Sequence, residues 1–149
     1  MTETPIESRR RGWTIMTRRL EPQEIAGLRQ GIAQFRAGEY FEAHDDWEEV
    51  WRELSGRRRL FWQAMIQLAV GTHHWEHGNQ RGCCSVWGKA LQKCDDLGQL
   101  YDHDVPAPLL HLICVLDEAL SALEHSQDPL PHILAFAASA LSDQWVTFA

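Results

Sequence analysis

"LFWQAMIQLAVGTHHWEHGN", Leu60 to Asn79, decides the fold. Leu60, Phe61, Ala64, Leu68, Gly71 and Trp75 recur at helical spacing and define one face. Trp62, Met65, Ile66, Ala69 and Val70 make much of the other side apolar too. A helix apolar nearly all round must be enclosed by others. The spacing therefore predicts a central buried helix over Arg58 to His77. Gly78 and Asn79 end it, and Asn79 can cap the next one.

The chain on either side reads the same way. Upstream, Ile25, Leu28, Ile32 and Phe35 give a helix closed by Gly38. Tyr40 to Leu54 forms another, stopped by Ser55-Gly56. Downstream, Cys83, Trp87, Ala90, Leu91, Cys94 and Tyr101 share one helical face. After the break at "DHDVPAPLL", two more helical stretches cover about Leu109–Leu123 and His132–Leu141. No alternating pattern suggests a strand. Short turns at 55–57 and 78–79 make successive helices antiparallel neighbours. The expected fold is all-α, a compact antiparallel bundle of about six helices.

The 149 residues suffice for one core. Residues 1–20 read as a flexible basic lead carrying Arg9, Arg10, Arg11, Arg18 and Arg19, and 21–149 as a single helical domain. The lead has no apolar segment after its arginines, so it is no secretory signal. No run of about 18 uncharged apolar residues exists to span a membrane. A formal net charge of −7 argues against broad nucleic-acid binding, even with the basic lead and Arg57–Arg59. Cys83, Cys84, Cys94 and Cys114 form no C-x-x-C pair. They read as reduced thiols in a cytoplasmic protein. Seven Trp residues are many for this length, and either fill a thick core or, through Trp62, form a homodimer interface.

The helical wheel isolates a few polar residues on apolar faces. In the Tyr40–Leu54 helix these are His44 and, one turn on, Glu48. Glu42, Asp46, Glu49 and Glu53 fall on the opposite, solvated side. In the central helix Gln63, Gln67, Val70 and His74 form one stripe. Since the two helices run antiparallel, His44, Glu48, Gln67 and His74 are expected to converge in one poorly exposed cluster. His44, Glu48 and His74 make a divalent-metal set of two imidazoles and a carboxylate. The same residues can also satisfy one another as a purely structural network. The H-x-x-E-H spelled by His73 to His77 occurs in zinc peptidases. Both end histidines lie near the helix's exposed end, off the His74 stripe, so no catalytic zinc centre is expected there.

Two segments carry a resemblance. "FRAGEYFEAHDDWEEVWR" and "QAMIQLAVGTHHWEHGNQRG" resemble, in order, the two motifs of the domain of unknown function 309 family, over residues 35–82. The resemblance implies a compact helical fold and no established activity. Its polar signature falls on Glu42, His44, Glu48, Trp51, Gln67, His74, Gly78 and Asn79. Asp45 stands where that motif commonly has Glu, and Ala64 where it commonly has Gly. The candidate polar site is therefore Glu42, His44, Glu48, Gln67, His74 and Asn79. The leading expectation is a binding or interaction module for a small molecule or protein. The alternative is a metal-dependent hydrolase using His44, Glu48 and His74.

Overall fold

The computed structural model describes residues 18–148. Six helices follow one another: α1 Pro22–Arg36, α2 Tyr40–Trp51, α3 Gly56–Glu76, α4 Gln80–Gly98, α5 Ala107–Glu124 and α6 Leu130–Ser139. A short 3-10 turn, Asp143–Thr147, closes the chain and went unread in the sequence. The described residues contain no strand. The fold is all-α, and each helix packs on the next. The last turn and α6 also pack on α1, which closes the array into a bundle.

Helix α3 is the enclosed element that its composition demands. Phe61, Trp62, Met65, Leu68 and Ala69 are wholly buried, as is Thr72, whose hydroxyl donates to the Leu68 carbonyl at 2.8 Å. Trp62 lies inside the core against Trp47 and Phe61, at ring separations of 5.4 and 5.5 Å. This corrects the interface reading, because no part of that indole is left for a second copy. Trp47 and Trp87 are equally buried, and Trp145 nearly so. Tyr101 is a smaller correction: it lies past the end of α4, where the Arg57 guanidinium covers its ring at 4.7 Å.

The first four helices are two copies of one device. Trp47 Nε1 donates to the Leu28 carbonyl at 3.0 Å, and Trp87 Nε1 to the Leu68 carbonyl at 3.1 Å. In each case a glycine one turn beyond the acceptor makes room. A Cβ on Gly31 would come within 2.2 Å of the Trp47 indole, and one on Gly71 within 2.2 Å of Trp87. The turns match as well. Gly38 and Gly78 take φ of 81° and 74°. After them Glu39 N–H returns to the Gln34 carbonyl at 2.9 Å and Asn79 N–H to the His74 carbonyl at 2.8 Å. That is the Schellman closure, which favours glycine in the left-handed position. The α5–α6 turn repeats it with Ser126 at φ 56°.

The α2–α3 joint differs and aligns the candidate site. Arg59 donates to the carbonyls of Trp51, Arg52 and Leu54 at 3.1, 3.3 and 3.0 Å, satisfying the free end of α2. Its guanidinium lies 3.8 Å above the Trp51 ring, and Trp51 Nε1 donates back to the Arg59 carbonyl at 3.0 Å. At the other end Phe41 meets the His73 ring at 5.2 Å. The two helices are therefore antiparallel, with Trp51 opposite Arg59 and Phe41 opposite His73.

Of the basic lead, residues 1–17 lie outside the described residues. Arg18 grips Glu24 with two hydrogen bonds of 2.7 and 2.8 Å and donates to the Glu53 carbonyl at 3.1 Å. Arg58, buried, donates to the Arg18 carbonyl at 2.6 Å. The Arg18 guanidinium, outweighing the cost of burial, holds the Glu24 carboxyl down at about 2.

Candidate functional site: a His44–Glu48–Gln67 cleft

His44 projects from the second turn of α2 and is fixed at both nitrogens. Its Nδ1–H donates to the Phe41 carbonyl at 2.9 Å, and its Nε2 lies 3.2 Å from Glu48 Oε2. The Phe41 ring flanks the imidazole at 5.1 Å. The Glu48 spacing of one turn is what brings the two heads together. Opposite them, Gln63, Ile66, Gln67 and Val70 of α3 complete a cleft of about 220 Å³, with Trp51 as its remaining wall. Gln67 Oε1 is buried without a hydrogen-bond partner.

The arrangement poses a chemical question. A carbonyl oxygen can only accept, so His44 Nδ1 carries a proton. In a neutral ring Nε2 then bears a lone pair aimed at a carboxylate oxygen. Two lone pairs at 3.2 Å repel unless a proton or a cation lies between them. A second carboxylate is near the ring on its other nitrogen, where Asp45 Oδ1 is 3.6 Å from His44 Nδ1. His44, Asp45 and Glu48 each offer a ligand atom, all within 4.8 Å of one another, and form the one such trio of His, Cys, Asp and Glu among the described residues.

His44, Glu48 and Gln67 thus line one cleft, while the other candidates lie apart from it. His74 accepts at Nδ1 from the Asn79 amide at 3.3 Å and lines no part of the cleft. With His44 and Glu48 it forms no trio of ligand atoms. Its ring is turned to Asn79 at the α3–α4 turn, one helical turn beyond Val70, which does line the cleft. Asn79 is a helix cap, its Oδ1 accepting from Gly82 N–H at 2.9 Å. The His74, Gly78 and Asn79 part of the second motif therefore forms the α3–α4 turn. Glu42 is exposed on the first turn of α2 and lines no part of the cleft. Its charge reaches His73, whose protonation is suppressed by burial and by His77 and His74, with Glu76 and Glu42 opposing.

Asp45 is not among the sequence-read site residues, and the structure brings its carboxylate to 3.6 Å from His44 Nδ1. The signal for it was its place beside His44, since a neighbour's carboxylate can reach a ring nitrogen. Asp46, Glu49 and Glu53 line a separate groove of about 530 Å³ between α1 and α2, whose one basic group, Arg18, is engaged by Glu24. All four cysteines are free, and burial pushes the Cys83 and Cys94 thiols up to about 12. No described helix is long and apolar enough to cross a membrane.

Comparison with known proteins places the cleft in a family context. Residues 28–86 match the model of the Domain of unknown function (DUF309), the family that the two motifs resemble. The chain is also similar to the uncharacterized protein YpuF of Bacillus subtilis (strain 168), with 29% identity over 100 residues, or 61% of this chain. It spans 56% of that relative's length. No solved structure matches. The matched segment contains the whole of α2 and α3, hence every side chain lining the cleft. Neither name states an activity.

Proposed function

We propose that the chain is a small helical binding module whose α2–α3 cleft captures a cation. The observation that carries this reading is the opposition of His44 Nε2 and Glu48 Oε2 at 3.2 Å while Nδ1 is committed to a carbonyl. Asp45, outside the cleft lining, brings a second carboxylate within 4.8 Å of the His44 and Glu48 ligand atoms, and Gln67 adds a buried amide oxygen still lacking a donor. One imidazole and two carboxylates form an oxygen-rich set that suits Mn²⁺ or a similar divalent ion. Trp51, Ile66 and Val70 give the cleft apolar walls, which strengthen the attraction between a cation and these groups. The reading assigns capture rather than turnover. The hydrolase alternative required His74 beside His44 and Glu48, and the contact of His74 with Asn79 gives it no support.

Titration of Mn²⁺ into the full chain, followed by NMR, tests this. Paramagnetic broadening should centre on His44, Asp45, Glu48 and the Trp51 indole, and Glu48→Gln should abolish that pattern. Broadening centred instead on Glu49 and Glu53, or unchanged by Glu48→Gln, would refute the assignment.

A further inference from the structure

A second cluster of ligating groups lies across Phe41 from the cleft. The Phe41 ring, 48% exposed, touches His44 on one side and His73 on the other, at 5.1 and 5.2 Å. His73 lies against His77, one turn further along, with ring centroids 4.1 Å apart. We propose that His73 and His77 chelate a borderline divalent transition ion, such as Zn²⁺, Cu²⁺ or Ni²⁺, at the C-terminal end of α3. The site is one of binding, not catalysis, and shares no ligand with the cleft.

Residues one turn apart project from the same helix face, so two imidazoles can reach one ion. Imidazole pairs suit Zn²⁺, Cu²⁺ and Ni²⁺, whereas carboxylates favour harder ions. His77 is oriented for this role. Its Nδ1–H donates to the His73 carbonyl at 2.8 Å, which fixes the tautomer and leaves the Nε2 lone pair free. Metal-binding histidines are held in this way by a carbonyl or carboxylate. The bond alone does not make a site: His125 caps α5 through the same contact to Ser121 at 2.8 Å, with a serine where the second imidazole would be. The paired ring distinguishes the end of α3. His74, although adjacent, is turned to Asn79. The charges of Glu76 and Glu42 reach His73 and favour an arriving cation.

The test is Zn²⁺ titrated into the full chain near neutral pH, read by histidine-ring NMR and by calorimetry. The His73 and His77 signals should move together along one saturating isotherm. His77→Ala should weaken that isotherm about tenfold or more, the scale on which metal sites respond to loss of a supporting group. His73→Phe keeps a ring against Phe41 while removing the nitrogens, and should weaken it as much. Glu48→Gln should leave it in place, which separates this site from the cleft. Zn²⁺ binding to either histidine variant as tightly as to the native chain would overturn the proposal. So would saturation with the His73 and His77 signals unmoved.

Discussion

Gly71→Ala sets helix propensity against packing. Gly71 lies inside α3, where alanine should be better by about 1 kcal/mol from propensity alone. The packing predicts the opposite sign. An alanine Cβ would lie 2.2 Å from Trp87 Cδ1 and 2.3 Å from its Nε1, and that indole is wholly buried. The ring has to move. Overpacking of this kind costs about 1–3 kcal/mol. Movement also breaks the 3.1 Å bond from Trp87 Nε1 to the Leu68 carbonyl, and an unpaired buried donor costs about 1–3 kcal/mol more. After the propensity gain the net loss centres near ~3 kcal/mol, which lowers the melting temperature by about 6–12 °C at this chain length. Urea unfolding followed by Trp fluorescence measures it. Gly88→Ala is the control, because nothing lies within 4 Å of a Cβ at that exposed position in α4. That change should stabilise by about 0.5–1 kcal/mol. A Gly71→Ala protein as stable as the native chain would refute the packing account of the repeated Gly–Trp device.

Three further outcomes follow from the same contacts. The Glu24 carboxyl is held at about 2 against an ordinary value of 4.5, so its contribution is complete above 4.5 and is lost as the pH falls towards 2. With Arg18 45% exposed, that contribution is about 1 kcal/mol after screening. Arg18→Ala should flatten the stability profile across this window, and an unaltered acid limb would contradict the pairing. Asn79→Ala should cost about 1 kcal/mol and speed hydrogen exchange at Gly82, whereas Asn79→Asp, which keeps the capping oxygen, should not; equal exchange in all three proteins would remove the cap from the argument. With iodoacetamide, mass spectrometry should find Cys84 and Cys114 modified in the native protein and Cys83 and Cys94 untouched, because only the first two are exposed and burial keeps the others as thiols. Equal labelling of all four would contradict their burial.

The helices were legible because their faces are uneven. Leu28, Ile32 and Phe35, or Trp47 and Val50, announce which side is buried before any partner is known. His44 and Glu48 were legible for the same reason, as two polar groups one turn apart on such a face. His74 shows where a single-helix wheel stops being informative. The wheel gives direction around an axis but not the partner to which a side chain turns. Gln67 and His74 share a stripe, yet only Gln67 lines the cleft, because His74 is turned to Asn79 in the turn that follows. Trp62 marks a related limit: on a helix enclosed from several sides, facing away from one neighbour means facing another, not solvent.

The 40-residue repeat was present in the letters and went unread. Leu28, Gly31, Gly38 and Trp47 are matched, at a constant offset, by Leu68, Gly71, Gly78 and Trp87. Apolar periodicity cannot reveal it, because glycine contributes nothing to a hydrophobic face. Its meaning lies in the volume that a missing Cβ opens for an indole in another helix. The repeat also bears on function. The position equivalent to His44 is Cys84, that of Glu48 is Gly88, and that of Gln67 is Gly27. The two hairpins thus share the groups that close a turn and seat a tryptophan, and differ at the groups that meet in the cleft. Packing of the hairpin does not require His44, Glu48 or Gln67, since its other copy is built without them. This separates the cleft's polar residues from the scaffold and supports a binding role for them.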